Sequence, residues 1–101
     1  MSKKETRYQE QLIKKIKKRF PGAQVIKTDP TYIWSWPDLM VVWGKNWGAL
    51  ETKRDPNSEK RPNQDYYVDL LDKQSFSSFI DPECEEEVLD AMERSFTTCA
   101  C

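Results

Sequence analysis

The stretch that most constrains this chain runs from Pro37 to Lys53. It reads Pro37-Asp38, an apolar run Leu39-Met40-Val41-Val42-Trp43, a tip Gly44-Lys45-Asn46-Trp47-Gly48, and a return through Ala49-Leu50-Glu51-Thr52-Lys53. A β-branched apolar run, a Gly/Asn tip and a second apolar run predict a buried β-hairpin. With Lys45-Asn46 as the turn, Asp38 falls opposite Lys53 and Met40 opposite Glu51, and the four side chains share one face. Glu51 and Lys53, two residues apart, share a face in any register. A slip of one residue would turn Asp38 away, so the gathering of two acids and a lysine is a prediction about register.

The rest of the chain must supply a core from little material. With 101 residues, a third of them charged, and a mean hydropathy of -0.84, it suffices for one domain whose core comes from a few short apolar segments. No run approaches the roughly 20 apolar residues of a membrane span, and Met1-Ser2-Lys3-Lys4 lacks the apolar region of a secretory signal. A soluble, intracellular, cytoplasmic protein without membrane contact is expected. Cys84, Cys99 and Cys101 form no disulfide or metal framework, so free thiols and no disulfide-linked partner are expected. The chain contains 0 histidines, which removes His-based general bases, Ser/His triads and His-metal nuclease motifs together.

The net charge of -1 conceals an asymmetry. Residues 1–62 hold 14 Lys/Arg against 7 Asp/Glu, and residues 63–101 hold 2 against 10, so the parts carry +7 and -8. This fits a side that faces a polyanion and a side turned away from it, or two ordinary solvated faces of opposite sign.

Along the chain, Tyr8, Leu12, Ile13, Ile16 and Phe20 recur at helical spacing until Pro21-Gly22, predicting an amphipathic helix over 3–20. Glu5 falls within about 20° of Leu12 on the helical wheel, and Gln9 within about 60°, so both lie in the apolar stripe. Glu5 is either an acid directed inward or an acid in a fraying first turn, which the helix N-terminus favours. Lys14, Lys15, Lys17, Lys18 and Arg19 coat the outer faces. A short strand is expected over 23–27, then a loop at Thr28-Asp29-Pro30-Thr31. The aromatic run Tyr32-Ile33-Trp34-Ser35-Trp36 reads either as packing or as a surface that stacks on bases. After the hairpin come a polar loop over 54–61, a helix over 63–73 with Gln64 in its first turn, and a strand over 75–80. Asp81 as N-cap and Pro82 as first helical residue open a last, acidic helix to about residue 96. The predicted fold class is α/β: a single domain, its core over residues 3–80, with a mixed sheet flanked by helices in the order αβββαβ and then the C-terminal helix.

Phosphodiester hydrolysis needs a divalent cation to offset phosphoryl charge and a water made nucleophilic beside it. Magnesium takes oxygen ligands and keeps several waters. Asp38 and Glu51 can supply two carboxylates and the Thr52 carbonyl a third ligand. Lys53 can orient or deprotonate the water, and Glu5 can act as an outer acid. The same residues could otherwise form a cross-strand salt bridge worth about 0 to 1 kcal/mol.

Pro37-Asp38 followed by Glu51-Thr52-Lys53 resembles the PD-(D/E)XK nuclease signature. Glu5-x-x-x-Gln9 with Leu12-Ile13, Val25-Ile26-Lys27, Pro37-Asp38-Leu39, Glu51-Thr52-Lys53-Arg54 and Pro62-Asn63-Gln64 together resemble the small VRR-NUC-type nucleases common in phages, which are similar to Holliday junction resolvases. The resemblance spans residues 5 to 80. It implies Mg²⁺-dependent DNA cleavage, with Mn²⁺ able to substitute, by Glu5, Asp38, Glu51 and Lys53, with Gln64 and Gln9 in support. DNA contacts would fall to Lys14, Lys18, Trp34, Trp36, Arg54, Lys60 and Arg61. A homodimer is expected, because one such site cuts one strand. Trp34-Ser35-Trp36 departs from the small or Gly-rich loop usual before the Pro-Asp. The alternatives are a catalytically inactive DNA-binding module of the same fold and a protein-interaction or inhibitor domain working through the acidic helix.

Overall fold

The computed structural model describes residues 3–29, 31–55, 57–58 and 62–97, the side chains of residues 3–5 excepted. The elements are α1 (Lys3–Arg19), β1 (Gln24–Lys27), β2 (Leu39–Trp43), β3 (Asn46–Thr52), α2 (Gln64–Gln74), β4 (Phe76–Ile80) and α3 (Glu85–Thr97). This is the αβββαβα order that the periodicities predict. The strands form one mixed sheet in the order β1-β2-β3-β4, antiparallel up to β3, with β4 parallel to β3 through the α2 crossover.

Alternation along the strands divides the molecule into two faces. Leu39, Val41 and Leu50 are fully buried on one face, under Leu12 and Ile16 of α1, Phe20 just after it, and Leu89 and Met92 of α3. Phe20 packs edge-on against Trp43 and Phe96, with ring centroids 5.0 and 5.6 Å apart. Gly48 lets α3 come this close, because a Cβ there would lie 2.9 Å from Met92 Sδ and 3.3 Å from Phe96 Cζ. The other face carries Ala49 and Glu51 beneath α2. Toward β1 that face is uncovered, and Ile26 and Val42 are exposed there.

The hairpin register differs from the predicted one. Trp43 pairs with Asn46 and Leu39 with Leu50, so Gly44-Lys45 is the turn and β3 begins three residues before Ala49. Gly44 takes φ +64°, a conformation open to glycine without steric cost, and this outweighs the turn preference of Asn46. The shift is two residues, an even number, so the faces are preserved. Continued one step, the pairing sets Asp38 opposite Glu51 rather than Lys53.

The last helix also starts later than predicted. Asp81 Oδ1 accepts from the backbone N–H of Glu83 (2.8 Å) and Cys84 (3.0 Å), but Pro82 to Cys84 form a turn. The first helical bond runs from Val88 N–H to the Cys84 carbonyl. Asp81 thus caps a turn that leads into the helix. The acids of α3 do not face away from the basic half. Lys15 Nζ donates to Glu85 Oε2 at 2.8 Å, and Arg19 reaches Glu93 at 2.8 Å, Glu86 at 3.7 Å and Asp90. Part of the basic charge of α1 is therefore spent inside the fold.

Candidate active site

The C-terminal end of β3 carries the acid-x-lysine pair. Glu51 is 3% exposed, and Lys53 Nζ lies 3.7 Å from its Oε2. Gln64, the first residue of α2, completes this group. It is 1% exposed, donates from Nε2 to Glu51 Oε2 at 3.0 Å, and accepts from Lys53 Nζ at 2.9 Å. One amide therefore fixes both charged side chains by a donor and an acceptor at once. Asn63 makes this possible: its left-handed backbone, φ 69°, brings the chain into α2 so that Gln64 enters the site. Asn tolerates that conformation better than most residues.

Asp38 approaches from the start of β2. Its Oδ1 accepts from the Thr52 N–H at 3.0 Å and its Oδ2 from the Thr52 hydroxyl at 2.5 Å. Thr52, expected to lend its carbonyl, holds Asp38 through its N–H and hydroxyl. Burial pushes the Asp38 carboxyl above its ordinary pKa, while the Thr52 hydrogen bonds and the charge of Lys53 pull it down. Asp38 therefore feels Lys53, and the two acids and the lysine meet where β2 and β3 leave the hairpin.

Three connections brace this corner. Thr28 closes the base of the aromatic loop, its N–H on the Asp38 carbonyl (3.0 Å) and its hydroxyl on the Pro37 carbonyl (2.7 Å). Buried Ser35 donates to the Pro62 carbonyl. The Trp36 ring, two residues before Asp38, packs on Tyr67, three residues after Gln64, with centroids 5.6 Å apart. The aromatic run thus divides: Trp36 is packing that holds the Asp38 segment against α2, whereas Trp34 is 56% and Tyr32 83% exposed.

The other predicted site residues distribute as follows. Gln9 is buried on α1, and Lys14 and Lys18 are exposed on it. Arg54 is exposed, with Asp55 at 3.7 Å. The Glu5 side chain, Lys60, Arg61, Cys99 and Cys101 lie outside what the structure describes, and Cys84 is a free thiol. Among the described residues no group of three or more His, Cys, Asp or Glu converges on a common point, and no helix is long and apolar enough to cross a membrane. The donor set at hand is two carboxylates, hard oxygen ligands that suit a cation able to complete its shell with water.

The helix-flanked mixed sheet whose central hairpin carries Asp38, Glu51 and Lys53 has the fold of VRR_NUC domains, which belong to the PD-(D/E)XK nuclease superfamily. Within it, the chain has the fold of a VRR_NUC domain: a solved structure described as "VRR_NUC domain" superposes with a TM-score of 0.64 and 25% sequence identity, over 91% of this chain and 97% of the other. By sequence the chain matches no family model. It likewise matches no curated protein. The structural likeness supports a nuclease of this type in general, of a kind that generally uses divalent metals, with DNA as the suggested partner.

Proposed function

We propose that the protein is a metal-dependent endodeoxyribonuclease, active as a homodimer in the cytoplasm. The observation that carries this reading is the Gln64 bridge. A buried amide that holds an acid and a lysine together at the mouth of a hairpin is preorganisation, which a solvated salt bridge would not need. Asp38 and Glu51 would hold Mg²⁺, or Mn²⁺ in its place, with the Thr52 carbonyl as a further ligand and Glu5 as an outer acid. The cation, when bound, supplies neutralisation of phosphoryl charge and a more acidic water. Lys53, fixed by Gln64, orients that water or takes its proton, and its charge stabilises the anionic transition state. Gln9 would support Glu5 from the next turn of α1. Lys14, Lys18, Trp34, Arg54, Lys60 and Arg61 would contact DNA. Trp34 is the exposed ring that could stack on a base, whereas Trp36 acts through Tyr67. The uncovered apolar strip at Ile26 and Val42 supports dimerisation. The internal pairing of the α3 acids with Lys15 and Arg19 speaks against α3 as a free inhibitor surface.

The test is cleavage of labelled junction, flap and linear DNA in Mg²⁺ and in EDTA. Cutting of at least one substrate in Mg²⁺ and none in EDTA is expected, and failure to cut any of them defeats the reading. Gln64→Leu is expected to slow cleavage about ten- to hundredfold, the range for a group that orients a metal ligand. Its effect should fall on kcat more than on KM, which single-turnover kinetics would separate.

A further inference from the structure

β1 and β4 are the two edges of the sheet, and their outward backbones differ. On β4, the Ile80 carbonyl accepts from the Lys53 N–H at 2.8 Å, so Ile80 and Ser78 turn to β3 while Ser77 and Phe79 turn outward. The chain answers groups of that outward row itself: Asp72 Oδ1 accepts from the Ser77 N–H at 3.0 Å, and the Ser78 hydroxyl donates to the Phe79 carbonyl at 2.7 Å. On β1, the Thr28 N–H donates to the Asp38 carbonyl at 3.0 Å, in the pairing that sets Ile26 opposite Met40, so Gln24, Ile26 and Thr28 turn to β2. Val25 and Lys27 turn outward, and their N–H and C=O groups have no partner among the described residues. An open row of this kind is a template for another strand.

The helix above this edge carries matching chemistry. α1 packs over β1, and α3 over β3 and β4. Lys15 and Arg19 mark the flank of α1 that meets α3. At about 100° per residue, Ile13, Lys17 and Glu10 fall on the opposite flank, toward the β1 edge. Ile13 is half-buried there, and Glu10 and Lys17 are exposed, with no ion pair to any described residue.

We propose that a second copy of this chain docks on this edge, β1 against β1, antiparallel about a two-fold axis at Ile26, so that the two sheets become one. This rests on the homodimer of the proposed function and assigns its interface. With Val25 and Lys27 as the hydrogen-bonding residues, two-fold symmetry sets Val25 of each copy opposite Lys27 of the other, and Ile26 opposite Ile26. Like charges therefore do not meet along the strands, and the exposed Ile26 gains an apolar neighbour. The same axis runs α1 antiparallel to its copy, which brings Glu10 of each toward Lys17 of the other, with Ile13 between them. The edge complements itself in backbone, apolar and charged groups at once, so its occupant is a copy rather than an unrelated strand. The axis stands perpendicular to the sheet. Asp38 and Ile26 share a face, so the candidate active sites of both copies open on the same side.

The experiment measures association apart from cleavage. Sedimentation equilibrium in low salt compares the wild type with Glu10→Lys, Lys17→Glu, the two combined, and Lys27→Pro, with circular dichroism as the check on folding. The wild type is expected at about twice the 12.0 kDa mass of the chain. Each single charge reversal is expected to weaken association about tenfold, and the combined variant to return to within about threefold of wild type. A merely structural role for either residue predicts no such rescue. Lys27→Pro removes an outward N–H without touching the ladder to β2, and is expected to be monomeric with an unchanged spectrum. Ile26→Cys in oxidised glutathione is expected to give a covalent dimer linked at position 26 by peptide mapping. Opposed residues of a non-hydrogen-bonded pair lie about 4.5 Å apart at Cα, within disulfide reach. A monomeric wild type overturns the interface, as does a dimer without the charge-reversal rescue; where Lys27→Pro loses its fold, that rescue decides alone. A monomer that cuts DNA in Mg²⁺ removes the interface and leaves the nuclease chemistry standing. A dimer with the expected responses that cuts no DNA keeps the interface and removes the nuclease reading.

Discussion

Asp38→Asn is expected to abolish cleavage while making the metal-free protein more stable. The loss follows from removing one of two carboxylates at the site. At several kcal/mol of transition-state stabilisation, that corresponds to a rate reduction of about a thousandfold or more. The stability gain follows from the burial that pushes the Asp38 carboxyl above its ordinary pKa. The folded state holds this proton more tightly than the unfolded chain does. Its contribution is therefore fully present below the ordinary carboxylate pKa and is lost as pH rises through the raised value. At neutral pH the charged carboxylate is a burden that Asn does not carry, and Asn can keep both Thr52 contacts by accepting from its N–H and donating to its hydroxyl. Thermal unfolding in EDTA should show Asp38→Asn melting a few degrees above wild type at pH 7, with the gap closing toward pH 4. Adding Mg²⁺ should raise the wild-type melting temperature and leave Asp38→Asn nearly unmoved. A variant that melts lower than wild type in EDTA at pH 7 would contradict this account.

Lys53→Ala should also abolish cleavage, but with the opposite effect on stability. It removes the cation 3.7 Å from Glu51 Oε2 and one of the bonds that seat Gln64. A buried carboxylate that loses its cation typically costs the fold about 3–5 kcal/mol. Denaturant unfolding at pH 8 in EDTA should show a loss on this scale. The two variants are thus both inactive and shift stability in opposite directions, a pattern that general misfolding would not produce.

Much of this arrangement could be read from local patterns. The four-residue repeat Tyr8, Leu12, Ile16, Phe20 and the stop at Pro21-Gly22 define α1, because helix period and chain-breaking residues act over a few positions. The face shared by Asp38, Glu51 and Lys53 also survives, since parity is insensitive to an even shift. The register itself was not legible: Gly44 and Asn46 are both turn formers, and which one bends is decided by pairing across the sheet. The start of α3 was misread for a related reason, because an Asp-Pro signal caps a helix and a turn alike. The fates of Trp34 and Trp36 depend on whether a ring on α2 lies within reach, and Tyr67 is thirty-one residues beyond Trp36. Arg19 looked like a solvent-facing cation until α3, more than sixty residues away, proved to be its neighbour.

The hydrogen bond from Lys53 to Gln64 has a bearing on how such a protein can change. It links the residues that flank positions 54–63, so the two ends of that segment are held by the candidate active-site corner itself. Lengthening a closed loop is cheap, about 0.6 kcal/mol for each doubling. Insertions could therefore accumulate between Lys53 and Gln64 without disturbing the bond that anchors their ends. On the proposed function, substrate choice could diversify there over evolutionary time while the candidate active-site corner stays constant.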